Sequence, residues 1–168
     1  PRATALVNPR REGSVYPNPE LCGVAVAFKF AQALKLKDPG CLSDEFLGSV
    51  LDLVALGLVA DQMALVGENR ILVKKGLERF NDRAVIRPGL AALLAVSGLD
   101  RGFPVTTGDF AYQLAPRINA CGRIGRVMSA LELLITQDPA TAKSLAEEAD
   151  RTNTRRKEQD LLLKEEAI

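Results

Sequence analysis

A single carboxylate at the end of an apolar run is the first group in this chain that could do chemistry. Asp61 closes Leu53-Val54-Ala55-Leu56-Gly57-Leu58-Val59-Ala60, and Met63-Ala64-Leu65 lies just beyond it. Taking an unpaired carboxylate out of water is costly, so the group must be hydrogen-bonded, matched to a cation or led back to solvent. Three readings are open. Asp61 ends a buried helix and turns to water, or it accepts backbone N–H groups where the next helix starts, or it holds a metal ion. Spacing by itself favours the first two, because no second carboxylate lies within a helical turn along the run. Asp52, further up the same run, falls near the opposite face of a helix with 3.6 residues per turn. Any metal held by Asp61 would need co-ligands distant in sequence.

The second group is basic. Between Asp109 and Glu132 there is no acidic residue, yet Arg117, Arg123 and Arg126 fall there, in Pro116-Arg117-Ile118-Asn119-Ala120-Cys121-Gly122-Arg123-Ile124-Gly125-Arg126. Gly122 and Gly125 expose backbone N–H groups and Pro116 sets a bend. The planar fork of arginine matches phosphate oxygens, and Asn119 can add a neutral hydrogen bond, so the pattern suits a phosphodiester backbone. The alternative is that these arginines pair with acids from other segments. Phe110 and Tyr112 are the only nearby rings, and their spacing turns at least one of them inward. No base-stacking platform is evident.

Composition narrows the setting. The 168 residues, 47% apolar and 26% charged, are enough for one sizeable core. A net charge of +1 means that a polyanion surface must come from local clustering. No histidine is present, so histidine triads, histidine metal sites and histidine bases are excluded within this chain. Three widely spaced cysteines, Cys22, Cys41 and Cys121, form neither a disulfide framework nor a zinc pattern and fit a reducing, cytoplasmic setting. Lysines interrupt the longest apolar stretch, so no membrane span is expected.

Around these groups the periodicity predicts one N-terminal strand, Thr4-Ala5-Leu6-Val7, halted by Asn8-Pro9, and about seven helices. The first helix runs from Leu21 to about Lys37, with Val24, Ala27, Phe28, Ala31 and Leu34 inward. Ser43 caps a second that runs unbroken toward Asp61. A third spans Gly67 to Phe80, with Arg70, Lys74, Lys75 and Arg79 outward. Pro88-Gly89 opens a fourth, closed by Gly98, and Thr106 or Thr107 caps a fifth that ends or kinks at Pro116. Met128 to Ile135 is a sixth. Asp138-Pro139 starts a long, mostly exposed last helix with no C-cap before Ile168, which is expected to continue past the chain's end.

Two stretches match something specific. Leu53 to Asp61 resembles the VALGTVAD motif, and Ala115-Pro116-Arg117-Ile118-Asn119-Ala120-Cys121-Gly122-Arg123 resembles the GPRINAAGR motif, of the RecJ exonucleases in the DHH phosphoesterase superfamily. Ala5 to Arg10, Tyr16-Pro17, Glu20 to Lys29 and Asn69 to Val73 extend the likeness over most of the chain. Leu58 stands where the family has threonine, Gln62-Met63 where small apolar residues are common, Ala115 where it has glycine, and Cys121 where it has alanine.

This resemblance implies a mainly α fragment of an α/β DHH phosphoesterase core. Residues 1–137 would be the C-terminal portion of the DHH domain, and 138–168 the start of the helix leading to the DHHA1 domain. It implies that Asp61 is a ligand to Mn2+ or Mg2+, one corner of a two-metal site whose Asp-x-Asp and Asp-His-His motifs are not in this chain. The fragment alone would then be inactive and would not retain the ions. Arg117, Asn119, Arg123 and Arg126 would face single-stranded DNA, hydrolysed from its 5′ end to mononucleotides in recombination and repair, with single-strand-binding protein as a further partner. The rival readings are a non-catalytic DHH relative serving as a replication scaffold, and a self-contained helical module that binds nucleic acid or protein.

Overall fold

In the computed structural model, residues 4–100, 102, 104–123 and 127–166 are described, the side chains of Arg123, Glu165 and Glu166 excepted. The chain divides into two compact units, Pro1–Phe80 and Asn81–Ile168. Among the described residues every regular element is a helix and none is long and apolar enough to cross a membrane.

The first unit is built on α1 (Gly23–Lys37), α2 (Asp44–Ser49), α3 (Leu51–Ala60) and α4 (Gly67–Asn81, whose last residue begins the second unit). The apolar run is the centre of this unit. Val54, Ala55, Leu56, Leu58 and Val59 of α3 are buried with Ala25 and Phe28 of α1 and Leu72, Val73 and Phe80 of α4. A side chain on Gly76 would run into the Ala55 methyl and the Leu51 carbonyl, so only glycine lets α4 lie this close to α3.

Three expectations for this unit need correction. Residues 4–7 form no strand, and Leu6 and Val7 are exposed; a strand needs a neighbour to complete its hydrogen-bond ladder, and none is present among the described residues. On α1 the inward residues are Cys22 at its N-cap, Ala25 and Phe28, whereas Ala27 and Leu34 are exposed. The helix capped by Ser43, whose Oγ accepts from the Phe46 N–H at 2.9 Å, does not run through to Asp61. It breaks at Val50 (φ −102°, ψ 0°), where the Ser49 hydroxyl donates back to the Phe46 carbonyl at 2.8 Å.

The second unit contains α5 (Pro88–Val96), α6 (Thr107–Asp109), a π-helical turn over Phe110–Leu114, α7 (Ala115–Arg123), α8 (Val127–Ile135) and α9 (Pro139–Glu166). Here α9 is the spine, packing on α5, α7 and α8. Its contact stripe is made of small residues, Ala142, Ala146 and Ala149, followed by Asn153, all buried. Their alternating four- and three-residue steps keep one narrow face toward the neighbours. Asp138 caps α9 as expected, accepting from the Thr141 N–H at 2.8 Å and the Thr141 hydroxyl at 2.6 Å. From Lys157 onward the described side chains are exposed.

Candidate metal ligand and nucleic-acid interface

Asp61 is the C-cap of α3, and the chain turns away immediately after it. The Asp61 N–H reaches the Gly57 carbonyl at 2.9 Å. The Gln62 N–H reaches Val59 and the Met63 N–H reaches Leu58, each at 3.0 Å. This paired closure requires a left-handed residue in the middle, and Gln62 takes it with φ 54°. The carboxylate is therefore exposed, at the negative end of the α3 dipole, with no basic residue in the last turn of the helix. Among the described residues no ion pair includes Asp61. Its near neighbour is the Cys22 thiol, held above its usual pKa first by burial and then by the facing Asp61 carboxylate.

A polar network holds the segment that carries Asp61. Asn69, fully buried, donates to the Glu20 carbonyl at 2.7 Å and to the Ala64 carbonyl at 3.0 Å, and accepts from the Asn18 amide at 3.1 Å. One side chain thus ties the stretch before α1 to the stretch after Asp61. Beside it, the Tyr16 hydroxyl donates to both oxygens of Glu68 at 2.9 and 3.1 Å, and Lys29 pairs with the same carboxylate at 2.7 Å. Burial works against the charged form of Glu68, but the Lys29 and Tyr16 contacts outweigh it and hold the carboxyl below its usual range. Tyr16, Glu20, Lys29 and Asn69 of this network lie within stretches that carried the resemblance, and Asn18 and Glu68 complete it from outside them.

An exposed, uncompensated carboxylate suits one ligand position of a hard divalent cation, which takes oxygen donors. It is not a complete site. Among the described residues no group of three or more Cys, Asp or Glu could enclose an ion.

The buried acid of α3 is Asp52, and its neighbour could not be read from local spacing. Asp52 is 1% exposed, accepts from the Leu53 N–H at 2.7 Å and lies 4.0 Å from the Arg79 guanidinium. Arg79 Nε also donates to the Ser49 carbonyl at 3.0 Å. Arg79 therefore spans the break between α2 and α3, meeting a helix-end carbonyl and a buried charge together. Of the four basic residues expected outward on α4, Arg70, Lys74 and Lys75 are exposed and Arg79 is not.

In the second unit, Asn81 fixes the approach to the arginine motif by exchanging hydrogen bonds with Val105 at 2.7 and 2.9 Å. Thr106 then starts the helix with a reciprocal cap. Its N–H donates to the Asp109 carboxylate at 2.8 Å, and its Oγ accepts from the Asp109 N–H at 3.4 Å. The helix does not end at Pro116. It widens over Phe110–Leu114, where the Ala115 N–H bonds to the Phe110 carbonyl, and then continues as α7. The wide turn rearranges the carbonyls that a proline N–H would have met, so the chain passes Pro116 without stopping.

The motif residues are treated differently from one another. Arg117 is 8% exposed, with Nε on the Asp150 carboxylate at 2.8 Å and a terminal nitrogen on the Gln113 carbonyl at 2.6 Å. Of the two readings open for the arginines, pairing with an acid from another segment is the one Arg117 displays. Asn119 is exposed. The Arg123 side chain and all of Arg126 lie outside the described residues. Phe110 is fully buried, whereas Tyr112 is 78% exposed, which the spacing of the two rings left undecided.

No protein-family model matches the chain. Among curated proteins, the single-stranded-DNA-specific exonuclease RecJ of Bacillus subtilis is 42% identical over 168 residues, covering 100% of this chain and 20% of that protein. The Escherichia coli RecJ is 37% identical over 175 residues, covering 100% of this chain and 30% of that protein. Among solved structures, RecJ from Thermus thermophilus in complex with Mn2+ superimposes with a TM-score of 0.73 at 36% identity, over 88% of this chain and 22% of that one. The same protein with Mg2+ gives 0.74 at 36%, over 89% and 23%. The likeness carried by the two motifs therefore extends through the whole sequence and the fold, and this chain is similar to the RecJ proteins over a stretch that spans between 20% and 30% of those curated relatives' length.

Proposed function

We propose that this chain is part of a metal-dependent exonuclease that hydrolyses single-stranded DNA from the 5′ end to mononucleotides, acting in the cytoplasm in recombination and repair. The observation that carries it is Asp61, an exposed carboxylate at the unfavourable end of a helix dipole, in a chain whose fold is similar to that of proteins solved with Mn2+ or Mg2+. In this reading Asp61 contributes one oxygen ligand, and the other ligands come from outside this chain. When bound, Mn2+ or Mg2+ supplies an activated water and offsets the charge on the reacting phosphate.

The residues of this chain supply the positioning. Asn69 and the Tyr16–Lys29–Glu68 cluster hold the segment on which Asp61 sits. Arg117, locked to Asp150, fixes α7 on α9, so that Asn119, Arg123 and Arg126 are the groups left to meet phosphates. Residues 1–137 are the phosphoesterase portion and 138–168 the start of a connecting helix. Single-stranded DNA is the polyanion such a surface takes, and a single-strand-binding protein is a partner able to present it.

A chimaera tests this, with the present segment replacing the matching stretch of the Bacillus subtilis relative and a 5′-labelled single strand plus Mn2+ as the assay. The native chimaera should degrade the strand and its Asp61→Asn form should lose about a hundredfold to a thousandfold in rate, the scale on which removal of a charge-stabilising group acts. A folded chimaera that is inactive, or one indifferent to Asp61→Asn, overturns the reading.

A further inference from the structure

We infer that Tyr112 is a stacking site for an unpaired nucleobase of single-stranded nucleic acid. The inference rests on the reading of the arginine motif as facing a nucleic acid, and adds to it a contact to the bases.

Tyr112 is the most exposed aromatic side chain among the described residues, at 78% against 53% for Phe30 and 47% for Phe46. Its exposure follows from the backbone. The wide turn over Phe110–Leu114 puts Phe110 and Leu114 fully inside and leaves the ring between them facing water. The turn runs directly into α7, where Arg117 and Cys121 are buried and Asn119 is exposed. Tyr112 and Asn119 are thus exposed side chains of this helix that can meet a ligand from solvent, one with an aromatic face and one with an amide. Every base offers a π-face, so a ring beside a phosphate-binding surface holds single strands without choosing their sequence. Wide helical turns of this kind are frequent at functional sites.

The chain has no tryptophan and two tyrosines, so stacking can be read directly from tyrosine emission. In the full chain carrying Tyr16→Phe, Tyr112 is the only tyrosine left. Oligo-dT of about 12 nucleotides, the length that spans a single-strand binding groove, should quench it, and an abasic strand of the same length should not. Tyr112→Ala should lower affinity for oligo-dT roughly fivefold to a hundredfold and leave abasic affinity unchanged, while Tyr112→Phe should keep the native value. Helical circular dichroism checks that the variants are folded. Equal losses on both strands, or none, overturn the stacking role while the phosphate reading stands. If the native chain binds neither strand at low salt, both readings fail together.

Discussion

Asp52 and Asp61 occupy opposite ends of α3 and meet opposite fates. Asp52 sits in the first turn, where the helix dipole favours an anion, and it is buried beside Arg79 with the Leu53 N–H on one oxygen. Asp61 sits at the last turn, where the dipole disfavours an anion, exposed and without a cationic partner among the described residues. The first is compensated on every count and works for the fold. The second meets the Cys22 thiol but no cation among the described residues, so the next positive charge to arrive finds it available. The backbone repeats the contrast. At the end of α5 the left-handed position of the same closure is Gly98 (φ 67°), whereas beside Asp61 it is Gln62 (φ 54°). Left-handed strain in a residue other than glycine is thus found next to the candidate ligand and at no other described residue.

This contrast can be broken by substitution. Arg79→Ala should have the largest effect, about 3 kcal/mol lost in urea unfolding, because it strands a buried carboxylate and a helix-end carbonyl. Asp52→Asn should cost less, since the Arg79 charge it leaves behind is partly open to water. An Arg79→Ala loss below about 0.5 kcal/mol, the range of an ordinary surface change, would show that Asp52 is not compensated by Arg79.

Glu68→Gln should cost about 1 kcal/mol at neutral pH. Its carboxyl lies below the ordinary value of 4.5 when folded, so its contribution is complete above that pH and fades as the pH falls through the lower folded value. Lys29 is raised above 10.5, so its share is complete below that pH and fades as the pH rises through the higher folded value. The variant should therefore flatten the acid limb of the stability curve, and an unchanged limb would remove Glu68 from the network.

Gln62→Gly should stabilise by about 0.5 kcal/mol, the relief of the left-handed strain less the added freedom of the unfolded chain. Smallest of all, Asp61→Asn should raise stability by about 0.3 kcal/mol without metal, with the gain shrinking in salt. A stability loss there as large as that of Arg79→Ala would erase the difference between the two ends of α3.

Much of the helical plan was legible because it rests on local chemistry. Ser43, Thr106 and Asp138 cap the helices that follow them, Pro88 opens α5 and Gly98 closes it. Each of these features is satisfied within a few residues. What differs from that plan does not follow from residue type at one position. The helix expected to run unbroken from Ser43 to Asp61 has a break that Arg79 bridges, and at Pro116, where an end or a kink is expected, the helix widens over the preceding turn and continues. The strand at 4–7 was inferred from residue type without the partner a strand needs.

The same division holds for the candidate sites. Local sequence determined that Asp61 ends an apolar helix and that three arginines crowd one segment free of acids, since both follow from residue order alone. Only the tertiary structure decided that Asp52 and not Asp61 is the buried acid, that Arg117 turns inward to Asp150 and that Tyr112 turns outward to water. The reason is physical. Whether a charge or a ring is functional or structural depends on what else reaches it, and those partners are brought in by packing from tens of residues away.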